Sequence, residues 1–126
     1  MIAIAQSIFE VGLINEIKSL PEGMDTRLSA STKAEMSESM KQRLSLARAF
    51  AKDAPIYLLD EPGNHLDSQQ EEALVDKLNS LKGSHTVIMV SHKTSHLQMA
   101  DRVLVLERGQ VVANGAPEEV LPQLKA

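Results

Sequence analysis

The chain has the 126 residues of a single domain, and its 43% hydrophobic and 24% charged content is that of an ordinary globular fold. A formal charge of −4 and three aromatic residues (Phe9, Phe50 and Tyr57) argue against a phosphate-backbone binder or a stacking platform for bases, and the absence of cysteine excludes disulfides and thiolate-held zinc. No apolar run approaches the roughly 18 residues of a membrane span, and the opening "MIAIAQSIFE" lacks the basic region and small-residue cleavage site of a signal peptide.

Ile4, Ala5, Ile8, Phe9, Leu13, Ile17 and Leu20 recur at helical spacing, which predicts a first helix ended by Pro21 and Gly23. Residues 21–36, "PEGMDTRLSASTKAEM", are polar and turn-rich and read as a loop. A second helix is predicted from an N-cap at Ser37 to about Lys52, with Met40, Leu44, Ala47 and Ala51 on one face. Lys41, Gln42, Arg43 and Arg48 make it partly basic. The plain reading is a solvated face; the alternative is that Arg43 or Arg48 tie a helical part, residues 1–53, to the remaining 54–126.

Beyond residue 53 the texture changes. "IYLLD", "TVIMVS" and "RVLVLE" are short continuous apolar runs, the pattern of strands covered on both faces. Between the first two, "DSQQEEALVDKLNSL" predicts a helix with Asp67 as N-cap and Gly83 just past its end. A short helix is expected over residues 93–100, a hairpin turn at "LERGQVV" and a last helix at "APEEVLPQL". The alternation predicts an α/β fold with a parallel sheet and right-handed crossovers.

In such a sheet, ligands collect beyond the carboxyl ends of the strands. Asp60 and Glu61 stand at one such end, Ser91 and His92 at another. A carboxylate suits Mg²⁺ shared with phosphate oxygens, an adjacent glutamate can orient or deprotonate water, and a histidine can contact phosphate. Taken alone, Asp60 and Glu61 read equally well as turn residues. His92 and His96 have i, i+4 spacing but no third ligand, and His96 is expected at the surface. His65 and His85 read as solvated or locally bonded, and the methionines as gap-fillers in the core.

"MSESMKQRLSLARAF", "IYLLDEPGNHLD" and "VIMVSHK", in that order, resemble the signature motif, Walker B, D-loop and H-loop of an ATP-binding cassette (ABC) ATPase. The likeness runs over about residues 1–121, the C-terminal part of the nucleotide-binding domain. It implies a partial P-loop NTPase-like parallel sheet with flanking helices, preceded by part of a helical subdomain. The family's roles then fall at matching positions. Asp60 supports Mg²⁺ through water, Glu61 polarises the attacking water, and His92 touches the γ-phosphate. Asn64–Asp67 form the D-loop that reaches across a dimer. Ser37 contacts the γ-phosphate held by the opposite subunit, with Glu38 and Ser39 beside it.

The chain also departs from that family. The signature Leu-Ser-Gly-Gly-Gln is replaced by Met36, Ser37, Glu38, Ser39 and Met40. Glycines let phosphate approach the backbone at a helix N-terminus, whereas Glu38 sets a negative charge there and stabilises the helix dipole by roughly 0.3–1 kcal/mol. A weakened signature and a degenerate one both fit. None of the six glycines precedes a lysine, so there is no Walker A loop. The Q-loop and the adenine-stacking aromatic are absent too. The expectation is half of a domain, as a fragment or a truncated product, inactive on its own.

"INEIKSLPEGMDTRL", "KQRLSLARAFAKDAPIYLLDEP" and "SHLQMADRVLVLERGQVVANG" resemble exporters, above all peptide and protein exporters of the bacterial type I secretion kind. That resemblance implies ATP and Mg²⁺ as ligands. It implies a second nucleotide-binding domain and a transmembrane domain as partners, at the cytoplasmic face of the inner membrane, with no nucleic acid and no insertion of this segment into the bilayer. The alternatives are a non-catalytic cassette that regulates an active one, and a soluble ATPase of the translation-factor branch, which "NHLD" resembles.

Overall fold

The computed structural model describes residues 2–124, with side chains from residue 6 onward, so the expected positions of the Ile4 and Ala5 side chains lie outside the described set. It is a small α/β fold with one parallel and one antiparallel sheet and flanking helices. The described residues form two compact units that divide between Val90 and Ser91.

In the first unit, the helix expected to run to Leu20 is two helices, α1 (Ile2–Glu10) and α2 (Ile14–Lys18). The break is at Gly12, whose φ of 75° lies in the left-handed region open to glycine. The Gly12 N–H donates to Phe9 (3.0 Å) and the Leu13 N–H to Ile8 (3.0 Å), the paired bonds of a Schellman helix stop. Ile8 and Leu13 are both buried there, while Phe9 faces solvent.

The expected loop over 21–36 contains a 3₁₀ turn (Gly23–Asp25) and a further helix, α3 (Ala30–Glu35), capped by Ser29, whose Oγ accepts from the Thr32 N–H at 3.2 Å. Because α3 buries no residue, it leaves no apolar period for a sequence reading to find.

Helix α4 (Glu38–Ala51) begins where expected and packs on α1. Its buried residues are Met40, Arg43, Leu46, Ala47 and Phe50, so the buried stripe is turned from the one expected through Leu44 and Ala51. Strand β1 (Ile56–Asp60), helix α5 (Ser68–Leu81) and strand β2 (Thr86–Val90) follow. β1 and β2 pair in parallel, Ile56 opposite Thr86 through Asp60 opposite Val90, so both strands finish at one end. Tyr57 and Leu59 turn into the core with Leu74, Leu78 and Leu81 of α5; full burial of one such side chain contributes about 1.5–3 kcal/mol.

The expectation of strands covered on both faces is corrected. Ile56, Leu58, Ile88 and Val90 are 54–74% exposed, because α5 covers only one face and side chains alternate along a strand.

In the second unit, α6 (Thr94–Met99) leads to β3 (Val103–Glu107), β4 (Gln110–Gly115) and α7 (Pro117–Leu124). Among the described residues β3 pairs antiparallel with β4, the hairpin expected at "LERGQVV". The two-residue turn explains this. Arg108 (φ 51°) and Gly109 (φ 77°) are both left-handed, as in the type I′ turns that match hairpin twist. His96 is not at the surface: it is fully buried, with Nδ1 2.7 Å from Ser91 Oγ, which also accepts from the Lys93 N–H.

Candidate functional site

The site is built around the turn that leaves β1. Asp60 is the last residue of that strand, exposed on the same face as Ile56 and Leu58. Glu61 comes next, with a φ of 47°. For a residue with a β-carbon the left-handed region costs about 1–2 kcal/mol, so the turn is held from outside. The Glu61 N–H donates to the Val90 carbonyl at 2.7 Å, continuing the β1–β2 ladder by one bond. The Glu61 carbonyl accepts from the Asn64 N–H (3.2 Å) and from Gln42 Nε2 (3.3 Å), and the same amide donates to the Pro62 carbonyl at 2.9 Å.

From Asn64 to Asp67 the chain turns again, with His65 at a φ of 65°. Asp67 caps α5: its Oδ1 accepts from the Gln70 N–H (2.8 Å), and Gln70 Oε1 accepts from the Asp67 N–H (3.0 Å). Such reciprocal caps satisfy two backbone donors that a helix start leaves open. Ser39 Oγ of α4 donates to the same Gln70 Oε1 at 2.9 Å. The start of α4 is thereby tied to the start of α5.

At the head of α4, Ser37 Oγ accepts from the Met40 N–H at 3.1 Å. Glu38 is exposed and pairs with Lys41 at 3.1 Å, so its charge is not isolated. Arg43 departs from the expected solvated face. Its side chain is 5% exposed; the guanidinium meets Glu16 at 2.6 Å and the Gly12 carbonyl at 3.0 Å. It therefore fastens the α1–α2 stop to α4 and does not reach toward the β1 turn. Arg48 stays exposed.

The structure thus gathers Ser37, Glu38, Ser39, Asp60, Glu61 and Asp67 in one unit, on segments joined by side-chain hydrogen bonds. His92, in the second unit, is exposed. His85 bonds Ser84 and Asp53. A cleft of about 460 Å³ lies between α4 and β1, with Gln42, Arg48, Lys52, Leu58, Asp60 and Pro62 on its wall. Among the described residues no three His, Asp or Glu side chains group as metal ligands. One exposed carboxylate with a neighbouring glutamate fits Mg²⁺, which keeps waters and takes phosphate oxygens, better than a protein-caged ion.

Sequence reasoning missed Gln42, assigning it to a solvated basic face. The available signal was its spacing, since Ser39, Gln42 and Leu46 share one helix face at i, i+3 and i+7.

Residues 7–64, from α1 into the turn after Glu61, match the family described as ABC transporter. The chain is 36% identical over 121 residues to an ATP-dependent lipid A-core flippase of Cupriavidus metallidurans, covering 96% of this chain and 20% of that protein. It is 38% identical over 109 residues to the flippase of Ralstonia nicotianae, covering 86% and 18%. Among solved structures, a bacterial Atm1-family ABC exporter with ATP bound superposes with a TM-score of 0.85 at 26% identity, over 97% of this chain and 21% of that one. The chain thus spans about a fifth of the length of these relatives.

Proposed function

From its homology to ABC exporters along nearly its whole length, we propose that this chain is part of a nucleotide-binding domain that binds and hydrolyses ATP to drive export. The observation that carries the reading is the Asp60–Glu61 turn at the common end of two parallel strands, bonded to the helix that Ser37 opens. Residues 1–53 supply part of a helical subdomain with an altered signature, and residues 54–126 supply Walker B, D-loop and H-loop. Asp60 supports Mg²⁺ through water, and that ion neutralises phosphate charge when bound. Glu61 takes the proton of the attacking water, and His92 touches the γ-phosphate. Ser37, Glu38, Ser39 and Asp67 face the nucleotide held by a second such domain.

A transmembrane domain is the other partner and places this segment at the cytoplasmic face of the membrane. No described helix is long and apolar enough to cross a membrane. The expected cargo was a peptide or protein; the similar flippases are named for lipid A-core, which favours a lipid cargo and leaves the type I secretion likeness without support. A second reading, a regulatory cassette that does not hydrolyse ATP, is favoured by the Glu38–Lys41 pair where the family has glycine.

The test is Glu61→Gln in the complete domain that contains this chain. ATP binding is retained and steady-state turnover falls by about 10²–10⁴-fold, the usual loss on removing a general base. Unchanged turnover refutes the assignment, and absence of turnover in the unaltered domain selects the regulatory reading.

A further inference from the structure

We propose that Gln42 is a positioning residue for Glu61, acting through the backbone of the β1 turn; this rests on the reading that Glu61 handles the attacking water. Glu61 is disfavoured twice in its observed conformation. It carries a β-carbon at a φ of 47°, and it precedes Pro62, whose ring pushes the preceding residue toward extended backbone. Released, the turn relaxes toward that extended form and swings the Glu61 carboxylate away from where the strand end now sets it. The Glu61 N–H bond to the Val90 carbonyl (2.7 Å) holds the amide side of the residue to β2, and the Asn64 N–H to Glu61 carbonyl bond lies within the turn itself, so neither ties the peptide after Glu61 to a separate element.

Gln42 supplies the outside hold on the carbonyl side. Its Nε2 reaches two successive carbonyls, Glu61 at 3.3 Å and Pro62 at 2.9 Å. Both neighbours are acceptors, so only the NH₂ end of the amide fits there, and its two hydrogens serve one carbonyl each. Fixing two consecutive carbonyls fixes the peptide unit between them, and with it the exit direction of the chain at Glu61. The anchor is firm: Gln42 stands between Met40 and Arg43, both buried, on a helix whose Ser39 is bonded to Gln70. Because α4 opens at Ser37, five residues before Gln42, the geometry of the signature segment and that of Glu61 are set by one rigid element.

The experiment compares Gln42→Leu, which removes both donors at similar volume, with Gln42→Lys, which can still donate to the carbonyls, in the complete domain. Gln42→Leu lowers kcat by about tenfold to a hundredfold, as expected for a small displacement of a reacting group, with KM for ATP unchanged within about twofold. Gln42→Lys recovers most of the loss. Amide exchange at Asn64 quickens in Gln42→Leu and not in Gln42→Lys, while exchange within α5 is unaltered. A Gln42→Leu domain with full kcat, or a loss that Gln42→Lys fails to rescue and that slackens α5 as well, overturns the proposal. Glu61→Gln in parallel separates the two ideas. If Glu61→Gln is inactive and Gln42→Leu is fully active, only the role of Gln42 falls. If Glu61→Gln retains turnover, the hydrolytic reading falls and the positioning role with it.

Discussion

The Arg43–Glu16 pair gives a stability prediction whose size follows from its surroundings. The guanidinium is 5% exposed and Glu16 is 41% exposed, at 2.6 Å. Stripping the partner from a fully buried pair costs about 3–5 kcal/mol, whereas an exposed pair contributes about 0–1 kcal/mol. Glu16 keeps contact with water, so its charge is screened, and the coupling is expected between these limits, at about 1–2 kcal/mol. Arg43 has a further duty, since it also donates to the Gly12 carbonyl at 3.0 Å. Arg43→Met keeps the apolar stem but removes that donor, so it costs about 1–3 kcal/mol beyond the coupling. The assay is a double-mutant cycle of Glu16→Gln and Arg43→Met, by urea unfolding of the chain followed by circular dichroism. With a urea slope of about 1–3 kcal/mol per M, the coupling appears as a shift of roughly 0.3–2 M in midpoint. A coupling below about 0.5 kcal/mol, or one abolished by 1 M salt, would show that Arg43 behaves as a surface charge and that its burial has been misjudged.

Asp67→Ala should cost about 0.5–2 kcal/mol through loss of the α5 cap, while Asp67→Asn, which can still accept from the Gln70 N–H, should stay near the parent in the same unfolding assay. Glu38→Gly should strengthen MgATP-dependent dimerisation of the complete domain in sedimentation, at about 0.5–1 kcal/mol of helix stability; equal dimer fractions would leave Glu38 only its dipole role and its pairing with Lys41. The 126-residue chain by itself should self-associate through the exposed Ile56–Leu58–Ile88–Val90 face and release no phosphate from MgATP. Leu58→Lys should then reduce the association in sedimentation velocity, and a parent that is monomeric at all concentrations, or that turns over ATP, refutes this.

Signals that depend on neighbours in the chain were legible without coordinates. Ser37 and Asp67 are caps, and a cap needs only its own side chain and an amide three residues on. Strands β1 to β3 were found because their apolar runs are bounded by turn residues, and the Arg108–Gly109 reversal because a glycine follows the run closely. The resemblance to ABC exporters also came from local order and spacing, and the homology to flippases agrees with it. What could not be read was which side of each element meets another. Arg43 and His96 are buried and Leu58 is exposed, the reverse of what side-chain type suggests, because burial is fixed by what packs across from a residue. Likewise α3 formed with no buried face at all. Gln42 belongs to the same class. Its spacing from Ser39 and Leu46 marks only a shared helix face, and its meaning depends on two carbonyls that lie nineteen and twenty residues further along the chain and reach it only when α4 and the β1 turn come together.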